Sequence, residues 1–141
     1  MQATIPYLVL GGRCAEALRF YAEVFDAKVE GLIRHGEVTK GLPDDQASKV
    51  MHAELHGPGV HLFLTDGQLN LPAPPPTHAI MLALALDDAN EQDRIWAKLG
   101  EGGEVLKELH PTFYGGRLGM LQDRFGVIWL LNVMPEAPPA K

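Results

Sequence analysis

The chain has 141 residues, with 12 basic and 18 acidic side chains and a formal net charge of −6. That length suits one domain with a sizeable core, and the absence of any Lys or Arg block argues against a nucleic-acid partner. The single Cys14 excludes an internal disulfide and favours a reducing compartment. No segment has the pattern of a signal peptide or the length of a membrane span. We therefore expect a soluble cytoplasmic protein with no membrane or nucleic-acid partner.

The first part of the chain predicts a strand, a helix and a second strand. Residues 5–10 form a short apolar run typical of a strand. Apolar residues then recur with the period of a helix, at the positions Ala17, Leu18, Phe20, Tyr21, Val24 and Phe25. Cys14 is expected to be a small buried residue at the helix start, and the alternative is a thiol whose pKa is lowered by Arg13. Residues 27–35 form the next strand, and the polar stretch 36–49 predicts a mobile surface loop.

A hairpin and a spacer follow this loop. Residues 50–55 and 60–65 are strand-like runs, joined by a four-residue loop of His56, Gly57, Pro58 and Gly59. Residues 67–77 are rich in proline and predict a semi-rigid, extended spacer.

The second part of the chain repeats this order of elements. Residues 80–86 predict a strand and residues 89–99 an amphipathic helix. A strand at 104–109 and a hairpin built from 117–122 and 127–132 complete the series. The repeated order, with matched spacing of apolar residues, indicates a duplicated unit.

The predicted organisation is a single α+β domain made of two tandem βαβββ modules. The modules comprise residues 4–66 and 78–134, with the proline-rich spacer 67–77 between them. Residues 135–141 form a flexible tail rich in alanine and proline.

Short motifs distributed along the chain resemble those of a known family. They are Pro6-Tyr7-Leu8, the helix start Cys14-Ala15-Glu16-Ala17-Leu18-Arg19-Phe20-Tyr21, Val50-Met51-His52-Ala53, Pro111-Thr112-Phe113-Tyr114-Gly115, and Gly119-Met120 with Asp123-Arg124-Phe125-Gly126-Val127-Ile128-Trp129. In this order they resemble the PhnB-like subgroup of the vicinal oxygen chelate superfamily, which includes glyoxalase I, bleomycin-resistance proteins and dioxygenases. The resemblance implies a glyoxalase-like fold, in which the modules form a curved mixed sheet around a cavity, and a homodimer.

The same resemblance implies where a catalytic relative would hold its divalent metal. Carried over to this chain, those positions are Pro6, Phe63, Met81 and Leu130. None of these side chains can bind a hard or borderline cation. We therefore predict no metal at the family positions and no cofactor.

The alternation of side chains in the first hairpin predicts a polar half of the cavity. With a four-residue loop, Glu54 lies opposite His61 and His52 lies opposite Phe63, so that these four side chains share one face. His52, Glu54 and His61 could hold a displaced metal or act as a general acid and base. The alternative is that they lie at a rim or a dimer contact and are solvated.

The second hairpin predicts an apolar half of the cavity. Its expected pairs are Leu121 with Ile128 and Gly119 with Leu130, so that Ile128 and Leu130 join Met81 on the cavity face. Trp129 then falls on the opposite face, where we expect it to pack under a helix.

A loop of the second module carries two aromatic side chains and a cation. Phe113 and Tyr114, with Arg117 just after them, could form a wall for an anionic or planar ligand. The alternative is a loop that only seals the sheet edge.

Three functions remain after these observations. The first is a protein that binds a small molecule in the sheet cavity. The second is a metal-dependent lyase, isomerase or dioxygenase that uses the displaced His/Glu site, and the third is a structural homodimer with a filled cavity. A methyltransferase would need a glycine-rich cofactor turn, of which Gly11-Gly12-Arg13 is a poor version, so we expect no methyl transfer.

Overall fold

The computed structural model describes residues 1–75 and 77–135, and the chain divides into two compact units, Met1–Pro75 and Pro76–Lys141. Each unit contains one open four-stranded mixed sheet and one long helix. The predicted α+β fold of two βαβββ modules is confirmed. The division between the units falls inside the predicted spacer 67–77, and most of the predicted tail lies outside the described residues. No helix in the described ranges is long and apolar enough to cross a membrane.

The first unit forms a sheet with the strand order β1-β4-β3-β2. Strands β1 and β4 are parallel, and the other neighbours are antiparallel. The elements are β1 (Tyr7–Val9), α1 (Cys14–Phe25), β2 (Lys28–Arg34), α2 (His35–Val38), α3 (Asp44–Ala47), β3 (Val50–Gly57) and β4 (Val60–Thr65).

The second unit repeats this topology with the order β5-β8-β7-β6. Strands β5 and β8 are parallel, whereas β6, β7 and β8 are antiparallel neighbours. The elements are β5 (Leu82–Leu86), α4 (Ala89–Leu99), β6 (Glu104–Pro111), β7 (Arg117–Gln122) and β8 (Ile128–Val133).

The core of the first unit lies between α1 and the middle of its sheet. Tyr21 and Val24 of the helix are buried, as are Leu55 of β3 and Leu64 of β4. The carboxylate of Asp66 fixes the start of two elements, because it accepts hydrogen bonds from the backbone N–H groups of Gly12 and Cys14 at the start of α1 and of Val50 at the start of β3. The apolar residues of α1 recur with the period of a helix, and for this reason one face of the helix packs on the sheet.

The core of the second unit is centred on Trp129 of β8, whose side chain is 1% exposed. Its position on the buried face, as predicted, is confirmed. The indole Nε1 donates to the Oδ2 atom of Asp123 at 2.8 Å, and Oδ1 of the same carboxylate accepts from the backbone N–H groups of Phe125 and Val127. Asp123 therefore stabilises the hairpin turn and also provides the hydrogen-bond acceptor that the buried indole N–H needs.

Two predictions about local structure are wrong. Residues 36–49, predicted as a loop, contain part of α2 and all of α3. The first hairpin turns at Pro58 and Gly59, since Gly57 already pairs with Val60. Gly59 has φ +72°, a backbone conformation that glycine adopts at no steric cost.

The register of both hairpins differs from the predicted one. In the first, Glu54 lies opposite Phe63 and His56 lies opposite His61, a shift of two residues that leaves every side chain on its predicted face. In the second, Leu130 lies opposite Met120 instead of Gly119. This shift of one residue moves Gly119 to the helix side, where an added Cβ would lie 2.9 Å from the ring of Trp96.

Candidate functional site

A cluster of titratable side chains occupies the outer face of the first hairpin. Ala53 and Leu55 of β3 are buried on the side of α1, so that the alternating residues His52, Glu54 and His56 point to the other side. The cross-strand pairing of His56 with His61 brings the third imidazole onto this face.

Glu54 is the centre of this cluster. Its Oε1 atom lies 3.0 Å from Nε2 of His56 and 3.5 Å from Nε2 of His61, and its Oε2 atom lies 3.5 Å from Nε2 of His52. The hydrogen bond with His56 is the main reason that the pKa of Glu54 is lowered. The hydrogen bonds with His61 and His52 act in the same direction, whereas desolvation of the carboxylate opposes them. Glu54 is therefore an anion at neutral pH.

Tyr7 connects the cluster to strand β1. Its hydroxyl lies 2.6 Å from Nδ1 of His52, and its ring meets the rings of His52 and Phe63 edge to face, at 5.4 and 5.5 Å between centroids. Burial, with a smaller contribution from Cys14, raises the pKa of Tyr7. The phenol thus keeps its proton and can donate it in a hydrogen bond to Nδ1 of His52.

A cavity of about 820 Å³ lies beside this chain of hydrogen bonds, within the first unit. Strands β1 and β3, the end of β4, helix α2 and the beginning of the predicted spacer supply its walls. Nε2 of His35 lies 2.8 Å from the carbonyl oxygen of Gly67, and this contact attaches the spacer to α2. The lining residues are Tyr7, Val9, His35, Thr39, Met51, His52, Thr65, Gly67, Gln68, Leu69, Leu71, Pro72 and Pro74.

The predicted cavity residues of the first unit differ in their relation to this cavity. His52 lines it, whereas Glu54, His61 and Phe63 lie on the same face of the hairpin and are not among its lining residues. His52 and Tyr7 line the cavity and are hydrogen-bonded to each other, and His52 also contacts Glu54, so these two residues connect the cluster to the cavity.

Two of the predicted cavity residues of the second unit, Arg117 and Tyr114, have polar partners within that unit. Arg117 forms an ion pair with Asp93, with 2.8 Å between Nη1 and Oδ1, and the Tyr114 hydroxyl donates to Oδ1 of Asn132 at 3.1 Å. Phe113 is fully exposed beside Tyr114. Of the apolar residues, Met81 precedes β5 and is exposed, Ile128 is buried, and Leu130 is half-buried.

The pairing of the parallel strands shows which residues lie beside Phe63 and Leu130, two of the positions that the family resemblance implies for a metal. Tyr7, not Pro6, lies beside Phe63, and Ala83, not Met81, lies beside Leu130. Phe63, Ala83 and Leu130 have no side-chain ligand atom. The only polar side chain at these positions is that of Tyr7, which is hydrogen-bonded to His52.

Sequence reasoning missed His56, which it had placed in a loop. The signal was present, because His52, Glu54 and His56 follow one another at every second position, which is the spacing of one face of a strand. Treating Pro58 and Gly59 alone as the turn would have extended the strand to His56 and paired it with His61.

Comparison with known proteins places this fold and its motifs in one family. A family model described as 3-demethylubiquinone-9 3-methyltransferase matches residues 2–132. Protein PA1353 from Pseudomonas aeruginosa is 31% identical, with a TM-score of 0.83 over 95% of this chain and 98% of that chain. A PhnB protein from Bacillus cereus is 26% identical, with a TM-score of 0.73 over 94% of this chain and 99% of that chain.

A more distant likeness concerns the fold alone. A glyoxalase-related enzyme from Fulvimarina pelagi is 19% identical, with a TM-score of 0.59 over 99% of this chain and 94% of that chain. The chain therefore belongs to the PhnB-like family, whose model is described as 3-demethylubiquinone-9 3-methyltransferase.

Proposed function

We propose that this protein binds a small, largely apolar molecule in the cavity of its first unit. The observation that carries the proposal is the cavity itself, about 820 Å³ in volume, with the Tyr7 and His52 side chains in its wall. Pockets for drug-sized molecules have volumes of about 300–1,000 Å³ and combine an apolar lining with a few polar groups.

The lining residues favour an aromatic ligand over a strongly charged one. Val9, Met51, Leu69 and Leu71 offer apolar surface, and none of the lining residues is Asp, Glu, Lys or Arg in the described part of the chain. The hydrogen-bonded pair of Tyr7 and His52 would receive one polar group of the ligand. A permanent cation or anion would lose its hydration in this cavity without gaining an opposite charge.

The turn before α1 argues against methyl transfer, although the family model has the description of a methyltransferase. The backbone N–H groups of Gly12 and Cys14 both donate to the carboxylate of Asp66, at 2.9 and 2.8 Å. These donors at the helix start are therefore engaged within the protein and are not available to the carboxylate of a cofactor.

A metal-dependent lyase, isomerase or dioxygenase is the second candidate. It is favoured by the grouping of Glu54, His56 and His61, whose ligand atoms lie within 4.8 Å of one another. A purely structural homodimer with a filled cavity is less favoured, because the first unit contains a cavity of about 820 Å³. Homodimer formation and a cytoplasmic location remain predictions.

The proposal is tested by thermal unfolding of the full chain against a library of antibiotics and uncharged aromatic compounds, with aromatic acids as the charged comparison. A ligand that binds only the folded state stabilises it, by about 2.7 kcal/mol at one hundred times its Kd. Val9→Trp narrows the cavity and should abolish the shift in Tm. Val105→Trp is the matched control, because Val9 and Val105 are 42% and 43% exposed strand residues and Val105 lies outside the cavity.

Two results would count against binding in this cavity. One is a library in which no compound raises Tm for the unmodified protein. The other is a ligand whose shift is the same in Val9→Trp and Val105→Trp, which would place its site elsewhere.

A further inference from the structure

The end of the first hairpin holds three side chains of the types that bind metal ions, on two paired strands. His56 and His61 are directly opposite each other beside the turn at Pro58 and Gly59, and their rings lie 4.0 Å apart between centroids. Glu54 precedes His56 by two residues and shares its face. The three side chains are thus positioned by strand pairing rather than by a loop.

The distances between the ligand atoms suit a tetrahedral cation. Oε1 of Glu54 is 3.0 Å from Nε2 of His56 and 3.5 Å from Nε2 of His61, and one ligand atom from each of the three residues lies within 4.8 Å of the other two. In a tetrahedral zinc site with bonds of about 2.0–2.1 Å, neighbouring ligand atoms are about 3.3 Å apart. Small side-chain rotations would bring the two imidazoles and the carboxylate to that spacing.

The charge and the exposure of the cluster also suit a cation. Glu54 is an anion, and the carboxylate of Glu30 adds a second negative charge, with its Oε2 atom 3.7 Å from Nε2 of His56. The side chains of Glu54, His56 and His61 are 31%, 38% and 37% exposed. An ion can therefore reach the ligands from solvent, and a fourth position is left for water or Glu30.

The remaining oxygen of Glu54 has a partner of its own. Oε2 faces Nε2 of His52 at 3.5 Å, and His52 is held by the Tyr7 hydroxyl at 2.6 Å. Hydrogen bonds of this kind orient a metal-binding carboxylate and raise the affinity of the site. Coordination through Oε1 would leave this support intact.

We propose that Glu54, His56 and His61 form a binding site for a borderline divalent cation of the zinc and nickel class. Two imidazoles and one carboxylate are ligands that such ions favour, and three protein ligands leave one position open. This site is made of residues of β3 and β4 other than those that the family resemblance implies, although Glu54 lies opposite one of them, Phe63. It does not depend on a ligand in the cavity.

The test is calorimetric titration of metal-stripped full-length protein with zinc chloride and nickel chloride, with magnesium chloride for comparison. We expect one zinc or nickel ion per chain and no magnesium binding. His56→Ala, His61→Ala and Glu54→Gln should each raise the Kd for zinc by at least about tenfold, the size of loss that even an outer-shell change brings. His110→Ala is the matched control, since His110 is a strand histidine of β6 outside the cluster, and it should leave the Kd unchanged.

A second measurement avoids the need for variants. Proton–nitrogen spectra of the histidine side chains in the unmodified protein should show the Nε2 signals of His56 and His61 shifting with zinc, at the same molar ratio as the heat. The proposal is overturned if neither zinc nor nickel gives heat at one ion per chain. It is equally overturned if the His110 signal shifts instead, or if the folded cluster variants bind zinc as tightly as the unmodified protein.

Discussion

The two hairpins share one topology but differ in the chemistry of their outer faces. In the first hairpin, the outer face carries the pairs Glu54–Phe63 and His56–His61. In the second hairpin, the corresponding pairs are Met120–Leu130 and Gln122–Ile128. A duplicated fold therefore carries a titratable surface in one unit and a largely apolar one in the other.

The inner faces of the two hairpins are alike. Leu55 of the first and Leu121 of the second are both fully buried, and each lies one residue from the outer-face position that differs. Packing against a helix restricts the inner position to apolar side chains. The outer position is not restricted in this way, so the difference between the hairpins points to function in the first unit rather than to folding.

Replacing Asp123 is expected to cause the largest loss of stability. This residue has no counterpart in the turn of the first hairpin. Asp123 is 3% exposed and accepts from the N–H groups of Phe125 and Val127 and from the Trp129 indole. Asp123→Ala leaves these donors without an acceptor, and each unpaired buried donor costs about 1–3 kcal/mol. We expect a loss of about 3–5 kcal/mol in the free energy of unfolding, measured with urea.

Asp123→Asn is the control for this change. It retains a carbonyl oxygen that can still accept from the backbone, and we expect it to lose about half as much stability. Equal losses in the two variants would mean that the charge of Asp123, rather than its hydrogen bonds, stabilises the turn.

A reciprocal exchange of the outer-face residues Glu54 and Met120 should have a smaller effect. Met120→Glu places a half-buried carboxylate opposite Leu130 without imidazole partners, which costs about 1–3 kcal/mol of unfolding free energy. Glu54→Met removes a charge that the fold does not need, so the urea midpoint should change little while zinc binding is lost. A Glu54→Met protein less stable than Met120→Glu would show that the charged cluster supports the fold.

The two long helices were predictable from the sequence, whereas the short helices α2 and α3 and the hairpin registers were not. Residues 89–99 have a clear apolar period, and α4 spans Ala89–Leu99. The register depended on whether His56 and Gly57 belong to a strand or a turn. Both residue types are common in loops. In the structure they belong to the strand, because Gly57 pairs with Val60 and the turn is formed at Gly59, which has a positive φ.

The site was predictable only where it follows from alternation along a strand. The shared face of His52, Glu54 and His61 needs no more than the period of β3 and β4, and an even error in register leaves it unchanged. The cavity wall formed by the spacer depends instead on the contact between His35 and Gly67. That contact joins residues far apart in the sequence, and no local pattern predicts it.

The smallest effect concerns the helix starts, where α1 begins with Cys14 and α4 with the exposed Ala89. Burial, reinforced by Asp66 and opposed by Arg34, raises the pKa of the Cys14 thiol to about 12, so the alternative of a thiol activated by Arg13 is wrong. The unfolded chain ionises this thiol near its ordinary pKa of about 8.5–9. The stability that Cys14 contributes is therefore complete below about pH 8.5 and falls as the pH rises towards 12.

The difference between the pKa of the Cys14 thiol in the folded and the unfolded chain predicts how stability changes with pH. Between pH 8 and pH 10 the unmodified protein should lose about 1–2 kcal/mol more unfolding free energy than Cys14→Ala, because only the unfolded thiol ionises in that range. Urea unfolding of both proteins at the two pH values measures the difference, and the other groups that titrate there cancel in the comparison. Parallel pH dependence in the two proteins would mean that the thiol is open to solvent, and the start of α1 would then resemble that of α4.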